Sequence, residues 1–597
     1  MKKASRQPVL LGMAVMLCSV GTLYGCKDFL TSAALPQGTL DQTTLANKAG
    51  VEGSLIAAYR QIDYTNGVNG GWGTAASNWI WASVSSDDAY KGSTASDQPG
   101  ITAIENYAWS SPDAQGDLND KWRGVYEGIS RANATINLLH SVAASKPGEL
   151  ITADAKGIEG EATFLRAHYH FEAWKMWGNI PYYRETDTDF RKANLTKDAA
   201  IGEVIKDLDA AIALLPATPR NGNVGRATSW TAKAFKGKVL MFKKDYAAAL
   251  ATLKDVTANG PYALETSYDR VWTGFFNLEN GRETIFAYQA SANDGEPNGN
   301  NSNFGERLNM PSTGSPFGCC GFHQPSQNLV NFFGTDATSG LPVAITNPTG
   351  WNVNNANVNA SVLTPVDPRL DFTVGRDGVP YKDWGKEAPD WVRDVSNGGF
   401  YEAKKNAHEK ASGAQSTVGW APAQENSVNI HILRFADVLL LQAEAEVEVG
   451  SLEAARTIVN QIRTRAGAKV QGPGTSAATI AIPINDPSIT WANYKVGLYT
   501  TPFADQGSAR TAVRTERRLE LAMEGQRFFD LQRWGQVDQV LPAYVNGVGG
   551  GAEKNRRLYL GNAAPITARN YLYPIPSLQI DLSKGGTGGG LTQNPGW

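Results

Sequence analysis

Aromatic side chains set beside acidic ones are the residues with the clearest chemistry in this chain. In NGVNGGWGTAASNWIWASVSSDDAYKG, Trp72 stands on a glycine-rich loop, and Asp87 and Asp88 follow a short distance on. An indole face stacks on the apolar C–H face of a sugar ring while carboxylates accept protons from its hydroxyls, so such a set can grip a carbohydrate without reacting with it. Trp351, Trp384 and Trp391 lie in a second irregular stretch rich in Asn, Gly and Pro, in company with Phe304, Arg307, Phe317 and Trp420. We take Trp72, Asp87, Asp88, Trp351, Trp384 and Trp391 as candidate ligand-binding residues. The competing reading is that these tryptophans anchor loops. Trp79 and Trp81 fall on a helical pattern instead and read as core.

Chemistry of other kinds finds no foothold. The sequence has no GxSxG elbow, no HExxH, no GxxxxGK[ST] and no GxGxxG opening a helix after a strand, so no catalytic residue and no cofactor is predicted. His168 and His170 are spaced i, i+2, which puts them on different helix faces and makes them poor metal partners, so no metal site is predicted. Cys319 and Cys320 are adjacent; two buried or half-buried thiols are the leading reading and a vicinal disulfide the alternative. With 55 basic against 58 acidic residues, a net charge of −3 and a pI near 6.2, the chain offers no basic stripe for nucleic acid. Its 16 Trp, 21 Tyr and 20 Phe beside 61 Gly favour recognition of something flat and partly apolar.

The elements that must position these residues follow in chain order. Lys2, Lys3 and Arg6 precede an apolar run from Val9 to Val20, too short for a membrane span but suited to a signal-peptide core. Leu23-Tyr24-Gly25-Cys26 looks like a bacterial lipobox, which makes residues 1–25 a leader and Cys26 the acylated first residue of the mature chain. Helices are expected over Asn47 to Asp63, Asp120 to His140, Asp154 to Trp177 and Asp198 to Leu215. Ala234 to Gly260 and Leu439 to Gly467 each read helix, short turn, helix, with small residues where helices would cross, and are similar to tetratricopeptide repeats. The segment between them, about 261–429, is the loop-rich insertion into a scaffold of about 40–260 and 430–535, with a loop segment over 536–597. Arg514 to Gln536 reads as two buried helical segments, broken where Gly525 suits a left-handed stop, with the second beginning at Arg527. Its alternating Arg and Glu or Asp predict a structural ion-pair network.

That segment, RTERRLELAMEGQRFFDLQRWGQ, carries a resemblance. With Asp437 in LRFADVLLLQAEAEVEVG, the DPRL at Asp367 and the ending LYPIPSLQIDLSKGGTGGGLTQNPGW, it resembles the SusD/RagB family of outer-membrane nutrient-binding lipoproteins. The resemblance implies a mostly α fold, SusD-like, with a tetratricopeptide-like helical-repeat scaffold and a loop-rich lobe, in one domain over 26–597. It further implies a lipid-anchored protein on the outer membrane of a Gram-negative, Bacteroidota-type bacterium. Such a protein captures oligosaccharide or polysaccharide and delivers it to a TonB-dependent, SusC-like transporter, by binding and not as an enzyme. A peptide-capturing member and a non-binding assembly subunit are the alternatives. GFHQPSQNLVNFF is similar to a family segment that starts a helix at Pro325. None of the six candidate residues is carried over from a family motif.

Overall fold

The computed structural model describes residues 45–63, 71–343, 365–547 and 552–597. The leader, Cys26 and Trp351 lie outside the described residues. The fold is mostly α. Helix α1, Lys48–Arg60, is capped by the Asn47 side chain, and α2, Pro112–Ser145, by that of Ser111 with proline at its first position. They are followed by α3 (Thr152–Trp177), α4 (Lys197–Leu214), α5 (Ser229–Lys243) and α6 (Tyr246–Asn259). After a long interval come α7 (Phe435–Val449), α8 (Leu452–Ala466), α9 (Gln506–Leu521), α10 (Arg527–Trp534) and α11 (Ser577–Ser583).

From α2 to α6 each helix packs on the next, and α6 then packs on α7. The two tetratricopeptide-like hairpins, separated in sequence, are therefore neighbours in space. A small residue lets α5 and α6 approach: a Cβ at Gly237 would stand 2.5 Å from a methyl of Leu253. Strand β1 (Ala89–Gly92), β2 (Thr284–Tyr288), β3 (Phe322–Pro325) and β4 (Ile430–Arg434) form two antiparallel ribbons, β1 with β3 and β2 with β4. The second ribbon joins the chain entering the loop-rich stretch to the chain leaving it. The helix expected at Pro325 starts at Gln327 instead, because Ser326 takes the cap position and accepts from the Leu329 amide at 3.0 Å.

The RTERRLELAMEGQRFFDLQRWGQ segment forms the end of α9 and all of α10, which begins at Arg527 as expected; α9 stops at Leu521, before the expected stop at Gly525, which lies between the two helices at φ +65°. A side chain there would stand 1.7 Å from the Ser77 carbonyl oxygen, so both the turn and the close approach require glycine. The charges of this segment are buried and paired. Arg517 bridges Asp437 (2.6 Å) and Asp530 (2.7 Å), and Arg533 binds Glu444 and Asp530. Glu516 and Glu520 face Arg369, Arg463, Arg434 and Arg465, while Glu524 takes Arg434 and Lys405. Burial pushes the Asp437 carboxyl up, but Lys238 and Arg517 outweigh it and hold the group well below its usual range. Asp367 of the DPRL stretch closes on Arg369 at 2.8 Å.

Trp79 and Trp81 are fully buried on a π-helical turn, Trp79–Val84, and donate to the carbonyls of Gly305 (3.2 Å) and Gly73 (2.6 Å). Nearby, Trp109 stacks on Tyr573, with ring centroids 4.1 Å apart, and on Trp597 at 5.8 Å. Cys319 and Cys320 are joined in a vicinal disulfide, where two thiols were the leading expectation. The amides of Cys320 and Gly321 both donate to the Met310 carbonyl, at 2.9 and 2.8 Å, which folds this loop back on itself. No helix among the described residues is long and apolar enough to cross a membrane.

Candidate ligand-binding site

Trp72 opens a single 3-10 turn, Trp72–Thr74, directly after Gly71. Gly71 lies so close to the Asp120 carboxylate on α2 that a Cβ would come within 2.4 Å of it, which fixes where the loop enters. The indole stacks on Phe304 with centroids 5.7 Å apart and planes only 6° from parallel. Phe304 in turn begins the 3-10 segment Phe304–Asn309, which delivers Arg307 into the same cluster. The guanidinium carbon of Arg307 sits 4.8 Å from the Phe304 ring centre, 5.1 Å from Trp72 and 3.9 Å from Trp420. Trp420 is 75% exposed on its loop. An indole so open to water, with a cation on one face, offers a stacking surface for a flat, partly apolar ligand.

Arg307 itself is buried, and its Nε and Nη1 have no hydrogen-bond partner among the described residues. Its one carboxylate neighbour, Glu425, stands 3.9 Å from Nη1. A buried cation without hydrogen bonds costs free energy that an incoming hydroxyl or carbonyl oxygen would recover. Burial lowers the Arg307 guanidinium to about 10 and raises Glu425 to about 7, against the opposing pull of each on the other. Gly299 and Gly419 close over Glu425, each lying where a side chain would strike its carboxylate.

The other candidates are placed differently. Asp87 and Asp88 are buried and belong to the ion network. Arg527 binds Asp87 at 2.7 Å, and Arg518 binds Asp88 at 2.9 Å and Asp87 at 3.1 Å. Burial raises both carboxyls; for Asp87 the pull of Arg518 and Arg527 wins and holds it near 2. Both carboxylates are buried in pairs with arginines and belong to the structural network instead of a ligand surface, which corrects their assignment. Trp391 is 6% exposed and meets Tyr381 edge-on at 5.5 Å, in a small apolar cluster with Met310, Phe317 and Ala407. It packs the loop and is corrected likewise. Trp384 is half-buried against Phe317 (5.1 Å), and its indole N–H donates to the His408 carbonyl at 2.8 Å, so it too acts as a loop anchor. The two clusters adjoin, since Gln424 on the Trp420 loop donates to the Phe317 carbonyl at 3.4 Å. His168 and His170 are core residues; burial drives them down to about 4 and about 3, and the His170 ring stacks on Tyr182 at 3.7 Å.

A family model described as the SusD family matches residues 282–597. The chain belongs to the SusD family. A second model, described as starch-binding and associating with the outer membrane, matches residues 68–241. The SusD-like protein P38 of Formosa agariphila is 25% identical over 437 residues, covering 72% of this chain and 74% of that protein. Among solved structures, a SusD-like protein from Bacteroides fragilis aligns with a TM-score of 0.65 at 21% identity, over 94% of this chain and 99% of the other. Surface glycan-binding protein A from Bacteroides thetaiotaomicron, in complex with laminarihexaose, aligns with a TM-score of 0.58 at 19% identity over 92% and 99%. At these identities the structural likeness speaks to the SusD fold alone.

Proposed function

We propose that this SusD-family chain is a cell-surface lipoprotein that captures an oligosaccharide on the face formed by Trp72, Phe304, Arg307 and Trp420. On this reading Cys26 is acylated and holds the protein at the outer membrane, and the captured glycan passes to a TonB-dependent transporter. The observation that carries the reading is the exposed Trp420 ring stacked against a buried Arg307 whose Nε and Nη1 have no hydrogen-bond partner among the described residues. A sugar ring would stack on the free face of the indole, while Arg307 on the opposite face holds that indole in place. The description of one matching family as starch-binding, and the laminarihexaose complex of a fold neighbour, support the same ligand class. The mechanism is equilibrium binding without bond making, and specificity comes from loop shape and from polar groups matched to hydroxyls.

Isothermal titration of the chain from residue 27 onward tests this, against plant, host and microbial polysaccharides, laminarihexaose and a peptide digest. One glycan is expected to bind. Trp420→Ala and Arg307→Ala should each weaken it by about tenfold or more, roughly 1.4 kcal/mol or above, while the melting temperature holds for Trp420→Ala. Binding of peptides alone, or unchanged glycan affinity in Trp420→Ala, overturns the proposal.

A further inference from the structure

A second concave site lies on the helical scaffold and shares no lining residue with the aromatic quartet. A cleft of about 520 Å³ opens between one face of α2, the chain from Pro181 to Arg191, and α11 with Leu591. That volume is in the range of small-molecule sites, roughly 300–1,000 Å³. Its walls are fastened from within. Asn133 and Asn137 on α2 donate to the carbonyls of Tyr183 (3.2 Å) and Glu185 (2.8 Å), and the Tyr126 hydroxyl donates to that of Pro181 (3.1 Å). The far wall is tied to the C-terminal segment, where the Thr587 amide donates to Asp189 at 2.8 Å and the Thr592 amide to Asn194 at 3.1 Å. A cleft built partly from loops is thus held open in one shape.

Its surface has an aromatic side and a polar side. Tyr126 stacks on Trp122 at 4.5 Å, Tyr183 meets Tyr126 edge-on at 5.9 Å, and Phe190 leans on Tyr183 at 6.1 Å. Phe190 is 72% exposed and Leu582 61%, so apolar area at the mouth faces water. Three arginines and three carboxylates line the cleft, leaving no net charge. The carboxylates are already engaged: Glu127 with Arg131 at 2.8 Å, Glu185 with Arg166, and Asp187 with Lys192. Arg184 is held by Glu203 and Asp207. A cationic ligand would have to break these pairs to reach a carboxylate, whereas a neutral one need not. The Ser130 hydroxyl and the Arg123 guanidinium, with no hydrogen bond or ion pair among the described residues, remain to meet a ligand's polar groups.

We propose that this cleft is a second carbohydrate subsite, for a short neutral saccharide laid against Tyr126, Tyr183 and Phe190 with its hydroxyls toward Ser130 and Arg123. The choice of saccharide rests on the glycan reading of the aromatic quartet; the cleft's neutrality and shape do not. The two sites are linked along one helix, since Arg123 lies one turn of α2 beyond Asp120, against which Gly71 packs. A long glycan engaging both gains by effective concentration without either contact being strong.

The test places para-fluorophenylalanine at position 190 and follows its fluorine NMR signal as neutral disaccharides of glucose, galactose and mannose are titrated into the millimolar range. A saturable shift is expected with at least one of them. It should persist in a Trp420→Ala background and vanish in Ser130→Trp, which fills the cleft from an exposed position without removing core packing. Absence of a shift with every disaccharide, its loss in Trp420→Ala, or its survival in Ser130→Trp overturns the subsite. Titration of the same Trp420→Ala protein with polysaccharide reports the aromatic quartet separately, so failure of one site is distinguishable from failure of the other.

Discussion

At the scale of single residues, what decides a role here is which side of a loop finds a partner. Trp384, Trp391 and Trp420 look alike in sequence, each an indole amid Gly, Pro and Asn. Two of them meet Phe317 and Tyr381 and become anchors, while the third carries Arg307 on its ring and is 75% exposed. Loop composition announces aromatic contacts but carries no period from which inside and outside could be read. Asp87 and Asp88 were misplaced for a related reason, since a carboxylate that accepts from a sugar and one that accepts from arginine have the same letter. His323 offers a sharper residue-level test. It is buried against Trp79, neither ring nitrogen has a hydrogen-bond partner among the described residues, and burial drives it to about 3. The folded state therefore refuses a proton that the unfolded chain takes up below about pH 6.5, so this residue's contribution is intact above that pH and is lost as pH falls toward 3. Denaturant titrations of wild type and His323→Phe at pH 7 and pH 5 should differ by about 2 kcal/mol in their stability gap, the variant gaining at the lower pH. Constant costs of the substitution cancel between the two pH values, and an unchanged gap would refute the neutral burial.

Elements follow from the sequence more directly, because their periods and caps are written in it. The hairpins over Ser229–Asn259 and Phe435–Ala466, and the start of α10 at Arg527, form where apolar spacing and caps place them, whereas α9 ends at Leu521, four residues short of the glycine expected to stop it. Within α9 the four-residue spacing of Glu516 and Glu520 puts both on one face, toward Arg369, Arg434 and Arg465. Arg518 is thereby left for another partner, and it reaches the turn before β1. That pairing could have been anticipated from the helical face alone, though not the identity of the loop supplying the acid. Arg518→Ala would strand Asp88 in the interior, at a cost of about 3–5 kcal/mol measured by chemical denaturation. Asp87→Ala should also destabilise the fold, yet leave glycan affinity per folded molecule unchanged in titration calorimetry. A selective loss of affinity there would return Asp87 to the ligand site.

Over the whole molecule, contacts between distant parts of the chain tie its N-terminal half to its C-terminal segment. Tyr573 lies against Trp109 and Trp81 and donates to the Trp81 carbonyl at 2.8 Å, while Asn594 binds the carbonyls of Trp177 and Tyr573, each at 2.9 Å. Scanning calorimetry of Tyr573→Ala should show one transition, shifted down by the loss of about 3–5 kcal/mol; a second, separate transition would show that the scaffold and the C-terminal segment melt independently. This long-range stitching was invisible from motifs read one at a time, since no local period records which strand or tail closes on which helix. The 430 residues between Asp88 and Arg518 have a further effect, on the order of assembly. A chain emerging from its N-terminal side presents Asp88 long before the arginine that compensates it exists, so this junction cannot close during early synthesis. Loop closure over such a span comes late and slowly. That junction therefore stays open until well after the first helices could pack on one another, leaving the Asp88 turn unpaired and exposed throughout that interval to whatever chaperones attend it.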